Sequence, residues 1–200
     1  MTDDNTSRKR DHRKKVAWGI TGSGDKLAET IGVMKEIKTK YFESVDIKVY
    51  LSKAGSQVLR FYRLRKELDQ SFRATIEIDS NTPFISGQLQ LGRFEFLLIA
   101  PATSNTVAKI ACSIADSLLS NAALMSMKGS TPVYIMPTDV REGITTTTLP
   151  NGKDLTIRVR REDAENVKKL AQMNGVTILE RPADINQVFE KHFNRASSQS

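Results

Sequence analysis

The chain has 200 residues, which is enough to bury one large core and is typical of a single domain. Lysine and arginine total 30 against 23 acidic residues, a net charge of +7, and 39% of the residues are hydrophobic, so the composition is that of a globular protein and not of a disordered one. The single cysteine, Cys112, excludes an intrachain disulfide framework and a four-cysteine zinc or iron–sulfur site within these residues.

The two ends of the sequence differ from its body. Residues 1–15 hold six cations and three acids without apolar periodicity, which predicts a disordered basic tail, and residues 195–200 form a second tail. The cations have no interleaved aromatic residues, so a solvated tail is favoured over a nucleic-acid-binding arm. No apolar run reaches the roughly 18 residues of a membrane helix, and no signal peptide is recognisable. We therefore expect one domain over residues 16–194, in the cytoplasm, with neither nucleic acid nor a membrane as its partner.

Strand and helix patterns alternate through the first two thirds of this domain. Short apolar or alternating runs predict strands, and apolar residues at three- and four-residue spacing predict helices. The predicted strands are 16–20, 45–51, 74–78, 94–100 and 133–136, and the predicted helices are about 27–37, 57–68, 105–112 and 116–127. Pro101 is expected to end the fourth strand. Alternating strands and helices predict an α/β fold with a doubly wound, Rossmann-like (flavodoxin-like) parallel sheet.

The last third of the domain departs from this alternation. Residues 144–149 and 155–159 are β-rich and lie on either side of an Asn-Gly pair, which is a strong hairpin signal. They predict a β-hairpin insertion over about 144–159, for which a role in covering a site or contacting a partner and a purely decorative role are both open. A helix over 161–174, a strand over 176–179 and a helix over 184–193 complete the domain.

The first candidate binding segment follows the first strand, because ligands of doubly wound sheets bind at the carboxyl ends of the strands. Residues 21–24 read Thr-Gly-Ser-Gly, whose amides and hydroxyls can surround an anion at a helix N-terminus. The glycines are not in dinucleotide order, and Ser52 stands where NAD-binding proteins have an acid after the second strand. This pattern disfavours NAD and favours a single terminal phosphate, as in a mononucleotide such as FMN.

The second candidate segment, Pro101–Thr106, follows the most apolar strand. Its residues are mostly small or hydroxylic and supply many hydrogen-bonding groups with little bulk, which suits a flat heterocycle. A purely structural loop would need neither Asn105 nor three hydroxyls. Thr138 and Asp139 follow the fifth strand and belong to the same predicted edge of the sheet.

A family resemblance rests on the residues around this second segment. The runs Ile99–Ala111 and Ile114–Leu119 resemble the signature of the homo-oligomeric flavin-containing cysteine decarboxylase superfamily, and the likeness extends over about residues 15–140. The resemblance implies bound FMN, a trimeric building unit, and a flavin at or near a subunit interface.

The same resemblance implies which residues hold the cofactor. The phosphate would be held by the turn after the first strand and by the serine after the second, and the flavin ring would lie against the Pro101–Thr106 loop. The implied cofactor-binding residues are Thr21, Gly22, Ser23, Ser52, Ala100, Pro101, Ala102, Thr103, Asn105, Thr106, Asp116 and Ser117.

Two departures separate the chain from the cysteine decarboxylases of this superfamily. Those enzymes have a histidine about a dozen residues before the loop, where this sequence reads Ile85-Ser86-Gly87-Gln88. Their Pro-Ala-Met-Asn stretch after the fifth strand is replaced by Pro137-Thr138-Asp139-Val140. Cysteine decarboxylation is accordingly disfavoured.

The whole chain, including Val16–Leu27 and the predicted hairpin, is similar instead to the archaeoflavoprotein and dihydromethanopterin reductase branch. This resemblance implies an FMN-dependent oxidoreductase that reduces dihydromethanopterin, or a related dihydropterin, to the tetrahydro form. With one cysteine, the chain would take its electrons from an external, ferredoxin-like donor. A ferredoxin-coupled electron-transfer flavoprotein without its own small-molecule substrate is the alternative.

Several polar residues near the expected ring are candidates for orienting a substrate: Asn105, Thr106, Asp116 and Asp139. Asn105 and Asp139 are the catalytic candidates. Asp139 is open to two interpretations, a general acid or a helix-capping carboxylate. No metal ligands are expected.

The predicted helix over 57–68 is strongly basic, and its cations would either form a solvated face or attract an acidic ferredoxin. Phe61, Leu64 and Leu68 have the spacing of core residues on that helix. Cys112, among alanines, is predicted to be a small core residue and not a reactive thiol.

Overall fold

Six parallel strands form the central sheet of the computed structural model, which describes residues 12–194. The strands of the described residues are β1 (Lys14–Ile20), β2 (Val45–Leu51), β3 (Ala74–Ile76), β4 (Phe96–Ala102), β5 (Val133–Pro137), β6 (Gly143–Thr148), β7 (Asp154–Val159) and β8 (Val176–Ile178). The strand order in the sheet is β3-β2-β1-β4-β5-β8, while β6 and β7 pair only with each other. With that hairpin set aside, this is the order of a doubly wound Rossmann-type sheet, so the predicted fold class is confirmed.

Helices cover both faces of the sheet. They are α1 (Leu27–Lys40), α2 (Lys53–Phe61), α3 (Arg65–Ser71), α4 (Ser86–Gln90), α5 (Ser104–Ala111), α6 (Leu118–Lys128), α7 (Arg161–Ala171) and α8 (Asp184–Phe193). Helices α1, α2, α3 and α8 pack against the face that carries Val16 and Trp18, and α4 to α7 pack against the face that carries Ala17. Because both faces are buried, the central strands are apolar at nearly every position. Within residues 12–194, no helix is long and apolar enough to cross a membrane.

The main departures from the predicted elements occur at prolines and at helix breaks. Pro101 does not end β4, because Ala102 still pairs with Pro137 after a register irregularity that accommodates the missing amide. Two short helices replace the predicted helix 57–68, with a corner at residues 62–64 where Arg63 has a left-handed backbone (φ 59°). The segment expected to be irregular contains the short helix α4. β1 begins at Lys14, two residues before the predicted domain boundary, and residues 1–11 and 195–200 lie outside the described part of the chain.

Two side-chain predictions are wrong for the same reason, which is that each residue lies at the end of a helix. Phe61 was expected in the core but is 63% exposed, because it ends α2 just before the corner; Leu68, beyond the corner, is fully buried. Cys112 was expected in the core but is exposed, because it follows the last turn of α5. Helical spacing predicts burial only while the helix continues.

The predicted hairpin forms, and one ion pair holds its base. Arg160 follows β7 directly and donates from its guanidinium to Asp163 at 2.7 and 3.0 Å, while its backbone amide donates to the same carboxylate at 3.1 Å. These hydrogen bonds, led by the one from the side chain of Arg160, lower the pKa of the Asp163 carboxyl. The contact therefore lies at the junction between the hairpin and α7.

Because the folded-state pKa of Asp163 is lowered, its ionised form stabilises the fold above the unfolded pKa of about 4, and this contribution disappears as the pH falls through the folded pKa. We expect Asp163→Asn to lower the urea midpoint at pH 7 and to have a much smaller effect at pH 3. The control is Glu162→Gln, an exposed neighbour in the same helical turn. Equal effects of Asp163→Asn at both pH values would contradict this assignment.

Candidate functional site

A cleft of about 300 Å³ opens at the carboxyl ends of β1 and β4, where the strand order reverses. This reversal is the usual ligand position in doubly wound sheets. The residues that line the cleft come from the segments after β1, β4 and β5, from the α2–α3 corner and from the hairpin: Gly22, Ser23, Gly24, Asp25, Tyr62, Thr103, Ser104, Asn105, Thr138, Asp139, Thr145, Thr147 and Ile157.

Thr21 joins the two loops that form the floor of the cleft. Its hydroxyl donates to the carbonyl of Pro101 at 2.9 Å and accepts from the amide of Thr103 at 2.8 Å, and its own amide donates to Pro101 at 3.2 Å. Thr21 is 1% exposed, and Pro101 and Ala102 are also buried. These predicted binding residues thus lie beneath the lining and set its shape.

The turn after β1 and the start of α2 approach each other so closely that side chains are excluded between them. A Cβ at Gly22 would lie 2.7 Å from the Cβ of Ala54, and one at Gly55 would lie 2.5 Å from the carbonyl oxygen of Ile20. Ser52 caps α2, its hydroxyl oxygen accepting from the amide of Gly55 at 2.9 Å, so the hydroxyl hydrogen remains available to donate. Backbone amides, the Ser52 hydroxyl and the positive end of α2 together suit a phosphate group.

The loop after β4 continues into α5 and presents one side chain that makes no hydrogen bond. Thr103 caps α5, and its hydroxyl contacts the amide of Thr106 at 3.3 Å and the Thr106 hydroxyl at 3.1 Å. Thr106 is buried by this contact and is not among the lining residues. Asn105 is exposed in the cleft, and its carboxamide has no hydrogen-bond partner among residues 12–194. Asn105 is therefore the lining side chain best suited to bind a polar heterocycle edge.

Asp139 lines the same cleft and is held in place by hydroxyls. Its carboxylate accepts a hydrogen bond from Ser104, the first residue of α5, and a longer one from Thr138 at 3.4 Å. The next element after it is the strand β6, so Asp139 does not cap a helix of its own. A half-buried carboxylate at this position can orient a donor group of a ligand.

Asp116 and Ser117 lie outside the cleft lining of this chain. Asp116 is largely exposed and forms an ion pair with Lys109 at 3.0 Å, while Ser117 caps α6 and hydrogen-bonds with Ser120. Glu77 connects this region to the phosphate-type site, because its carboxylate accepts from the amide of Leu118 at 2.7 Å and from that of Lys53 at 3.0 Å. The N-termini of α2 and α6 are thus held together by one carboxylate that sequence reasoning missed.

Sequence reasoning also missed Asp25, Tyr62 and the hairpin residues of the lining. Tyr62 reaches the cleft because Gly24 lacks a side chain: a Cβ there would lie 2.2 Å from the Tyr62 ring. Thr145 pairs with Ile157 in the hairpin, and residues paired directly across two strands point to the same face. The alternation of residues along the two strands predicts which hairpin residues share a face. It does not predict which of the two faces lies toward the cleft. Within residues 12–194, no group of three His, Cys, Asp or Glu side chains is arranged to hold a metal ion.

Three known proteins are similar to this chain over most of its length. An uncharacterized protein of Methanocaldococcus jannaschii is 45% identical over 179 residues, which cover 89% of this chain and 95% of that protein. A dihydromethanopterin reductase (acceptor) from the same organism is 30% identical, over 88% of this chain and 95% of the reductase. The crystal structure of Burkholderia xenovorans DmrB in complex with FMN, described as a cubic protein cage for redox transfer, superposes with a TM-score of 0.76 at 28% identity, covering 93% of this chain and 97% of DmrB.

The sequence model of the Flavoprotein family matches residues 4–193, which include every strand and helix described above. The loops that form the cleft lie inside this match, and the two Methanocaldococcus jannaschii relatives match 88–89% of the chain over 95% of their own length. The chain therefore belongs to the Flavoprotein family.

Proposed function

We propose that residues 16–194 form one FMN-binding domain of an oxidoreductase that reduces dihydromethanopterin, or a related dihydropterin, with electrons from an external donor. The observation that carries the proposal is the cleft at the strand-order reversal, where a phosphate-type cradle and the free carboxamide of Asn105 belong to adjoining loops. The relatives named dihydromethanopterin reductase and the FMN complex of DmrB support the same assignment.

FMN fits the residues present because it has one phosphate and one flat ring system. The phosphate would be bound by the Gly22–Ser23 turn, by the Ser52 hydroxyl and by the amide of Ala54, where added side chains find no room. The ring would lie against Thr103 and Asn105, on the loop supported by Thr21. When bound, FMN supplies the two-electron chemistry, and the protein supplies position and electrostatics.

The roles of the chain's own residues follow from their positions in the cleft. The Asn105 carboxamide has a free donor and a free acceptor, so it can orient a ring edge. Reduction of a dihydropterin C=N bond consumes one proton at the ring nitrogen, and Asp139 is the lining carboxylate that hydroxyls hold in a fixed position. We assign Asp139 as proton donor and Asn105 as an orienting residue.

The electron-transfer alternative is favoured by the size of the cleft. A volume of about 300 Å³ is at the lower end of the range for small-molecule sites. Such a cleft can hold one ring system. A pterin stacked on that ring would need additional space, which would have to lie beside the hairpin or next to a second subunit. A flavoprotein that passes electrons without its own substrate would need no such space.

The proposed assembly is a homo-oligomer built from trimers. Ile78, Phe84 and Leu91 are each at least 65% exposed and belong to one segment around α4, and such exposed apolar residues are typical of subunit contacts. Asp116 and Ser117, which lie outside the cleft of their own chain, would be free to approach a neighbour's flavin. The cage described for DmrB supports an assembly of this kind.

The oligomer should dissociate when a charge is introduced into this exposed segment. Leu91→Asp is expected to yield smaller particles in light scattering coupled to gel filtration, because an unpaired carboxylate cannot be buried in an apolar contact. Phe42→Asp, at an exposed phenylalanine between α1 and β2, is the matched control and should leave the mass unchanged. An unchanged mass for Leu91→Asp would refute this choice of contact.

Gly22→Ala tests the phosphate-type cradle, since the new methyl group would clash with Ala54. We expect FMN affinity to fall at least about tenfold, which corresponds to about 1.4 kcal/mol, as measured by the change in flavin fluorescence on binding. Gly32→Ala is the matched control, because a Cβ at Gly32 contacts nothing within 4 Å. If both variants bind FMN as the parent chain does, the phosphate lies elsewhere.

The proposed reaction is tested by reducing the flavin-loaded protein anaerobically and adding dihydromethanopterin. We expect the visible flavin absorption to return as the pterin is reduced. Flavin that stays bleached would refute the reductase assignment and support the electron-transfer alternative.

Asp139→Asn should slow this reoxidation about 100-fold with unchanged FMN binding, as expected for loss of a general acid. Asp25→Asn, at the other carboxylate of the lining, should have a much smaller effect. If Asp25→Asn slowed the reoxidation more than Asp139→Asn, the proton donor would be Asp25 and not Asp139.

A further inference from the structure

The corner between α2 and α3 presents an exposed aromatic ring among cations. It consists of Arg60, Phe61, Arg63 and Lys66, and we call it the Phe61 corner. Phe61 is 63% exposed, and the three cations around it in the sequence are exposed as well. Aromatic residues and arginine are enriched at protein interfaces, so this combination suits an interaction surface.

The cations of the Phe61 corner have no acidic partners among residues 12–194. The two acids of α3 are already engaged, since Glu67 pairs with Lys35 at 3.1 Å and Asp69 pairs with Arg65 at 2.7 Å. Arg60, Arg63 and Lys66 make no ion pair within the described chain. The corner is therefore a local excess of positive charge, which attracts negatively charged surfaces over about 8–10 Å at physiological salt.

Two aromatic rings connect this corner to the cleft. The rings of Phe61 and Tyr62 are 5.6 Å apart and nearly perpendicular, at 76°. Tyr62 lines the cleft, and its ring contacts the turn after β1 at Gly24. A partner seated on Phe61 would therefore be separated from the cleft by two rings in contact.

We propose that the Phe61 corner is the docking surface for a negatively charged one-electron carrier protein, an inference that rests on the proposed redox function. The charge of the corner is complementary to an acidic carrier, and its aromatic ring adjoins the cleft that receives the electrons. Opposite charges raise the association rate more than the affinity, so a carrier can bind fast without a large apolar interface. Fast binding of this kind suits a carrier that must bind and leave repeatedly.

Electron balance explains why the encounters must repeat. Each dihydropterin takes up two electrons and two protons to become a tetrahydropterin. A one-electron carrier gives one electron per encounter, so two carriers are oxidised for each product. Electrostatic steering raises association rates by 10 to 1,000-fold at low salt, which suits such brief encounters.

The test is the rate at which a reduced, acidic [2Fe–2S] ferredoxin reduces the flavin-loaded protein in stopped-flow experiments. Arg60→Glu/Arg63→Glu is expected to lower the second-order rate constant at least tenfold at low salt and to remove most of its salt dependence. Arg60→Gln/Arg63→Gln should have an intermediate effect. Arg73→Glu/Arg93→Glu is the matched control with the same change of charge, at exposed arginines that precede β3 and β4 and so lie at the amino-terminal ends of strands, opposite the cleft.

Photoreduced 5-deazariboflavin, a neutral reductant, separates docking from chemistry. With this reductant, all variants should be reduced and then reoxidised by dihydromethanopterin at the parent rate. Equal slowing with both reductants, equal slowing in the Arg73/Arg93 control, or a change in oligomeric mass of the Arg60/Arg63 variant would overturn the docking proposal. Failure of the parent protein to be reoxidised by dihydromethanopterin would instead refute the proposed function, whatever the ferredoxin rates.

Discussion

The hydroxyl of Thr21 is the contact on which the cleft depends. It donates to Pro101 and accepts from Thr103, and in this way joins the segments after β1 and β4 at the point where the strand order reverses. Because Thr21 is 1% exposed, these groups have little access to water. Removing the Thr21 hydroxyl would leave buried hydrogen-bonding groups without a partner, which costs about 1–3 kcal/mol of stability per group. The contact keeps the turn after β1, which suits a phosphate, at a fixed distance from the loop after β4, which suits a flat ring. A single ligand that uses both segments must span that distance.

A second constraint acts at the helix N-termini. Glu77 takes the amides of Lys53 and Leu118, and Ser52 takes that of Gly55, so part of the positive end of α2 is already neutralised within the chain. What remains for a ligand is the Ser52 hydroxyl, the amide of Ala54 and the turn at Gly22. Such a set is sufficient for one phosphate and leaves little for a second, which favours a mononucleotide over a dinucleotide.

Much of the fold is predictable from the sequence, because each strand and helix has its own local pattern and the crossover rules then restrict the topology. The predictions fail where a long-range contact overrides a local signal. Pro101 continues a strand because Ala102 still finds a partner in β5, and Phe61 leaves the core because the helix ends beneath it. The turn at Gly22 and the exposed Asn105 are found from sequence since they follow strands directly. Tyr62 and the hairpin residues reach the cleft only because segments that are far apart in the sequence lie close together in the fold. Such a distance cannot be obtained from the spacing of residues along the chain.

A redox protein that meets a donor and an acceptor in turn needs two approaches to one reacting group. Besides the loops after the strands, two different kinds of element border the cleft: Tyr62 adjoins the Phe61 corner in the helical layer, while Thr145 and Ile157 belong to the hairpin. The corner has an exposed aromatic ring and arginines that make no ion pair among residues 12–194, so it suits a macromolecule that stays outside the cleft. The hairpin presents hydroxyls and apolar carbon to the cleft and is tied to α7 by Arg160 and Asp163, so it suits a small molecule that enters. Under the proposed function, separate surfaces would let the carrier protein deliver its electrons without occupying the space of the pterin.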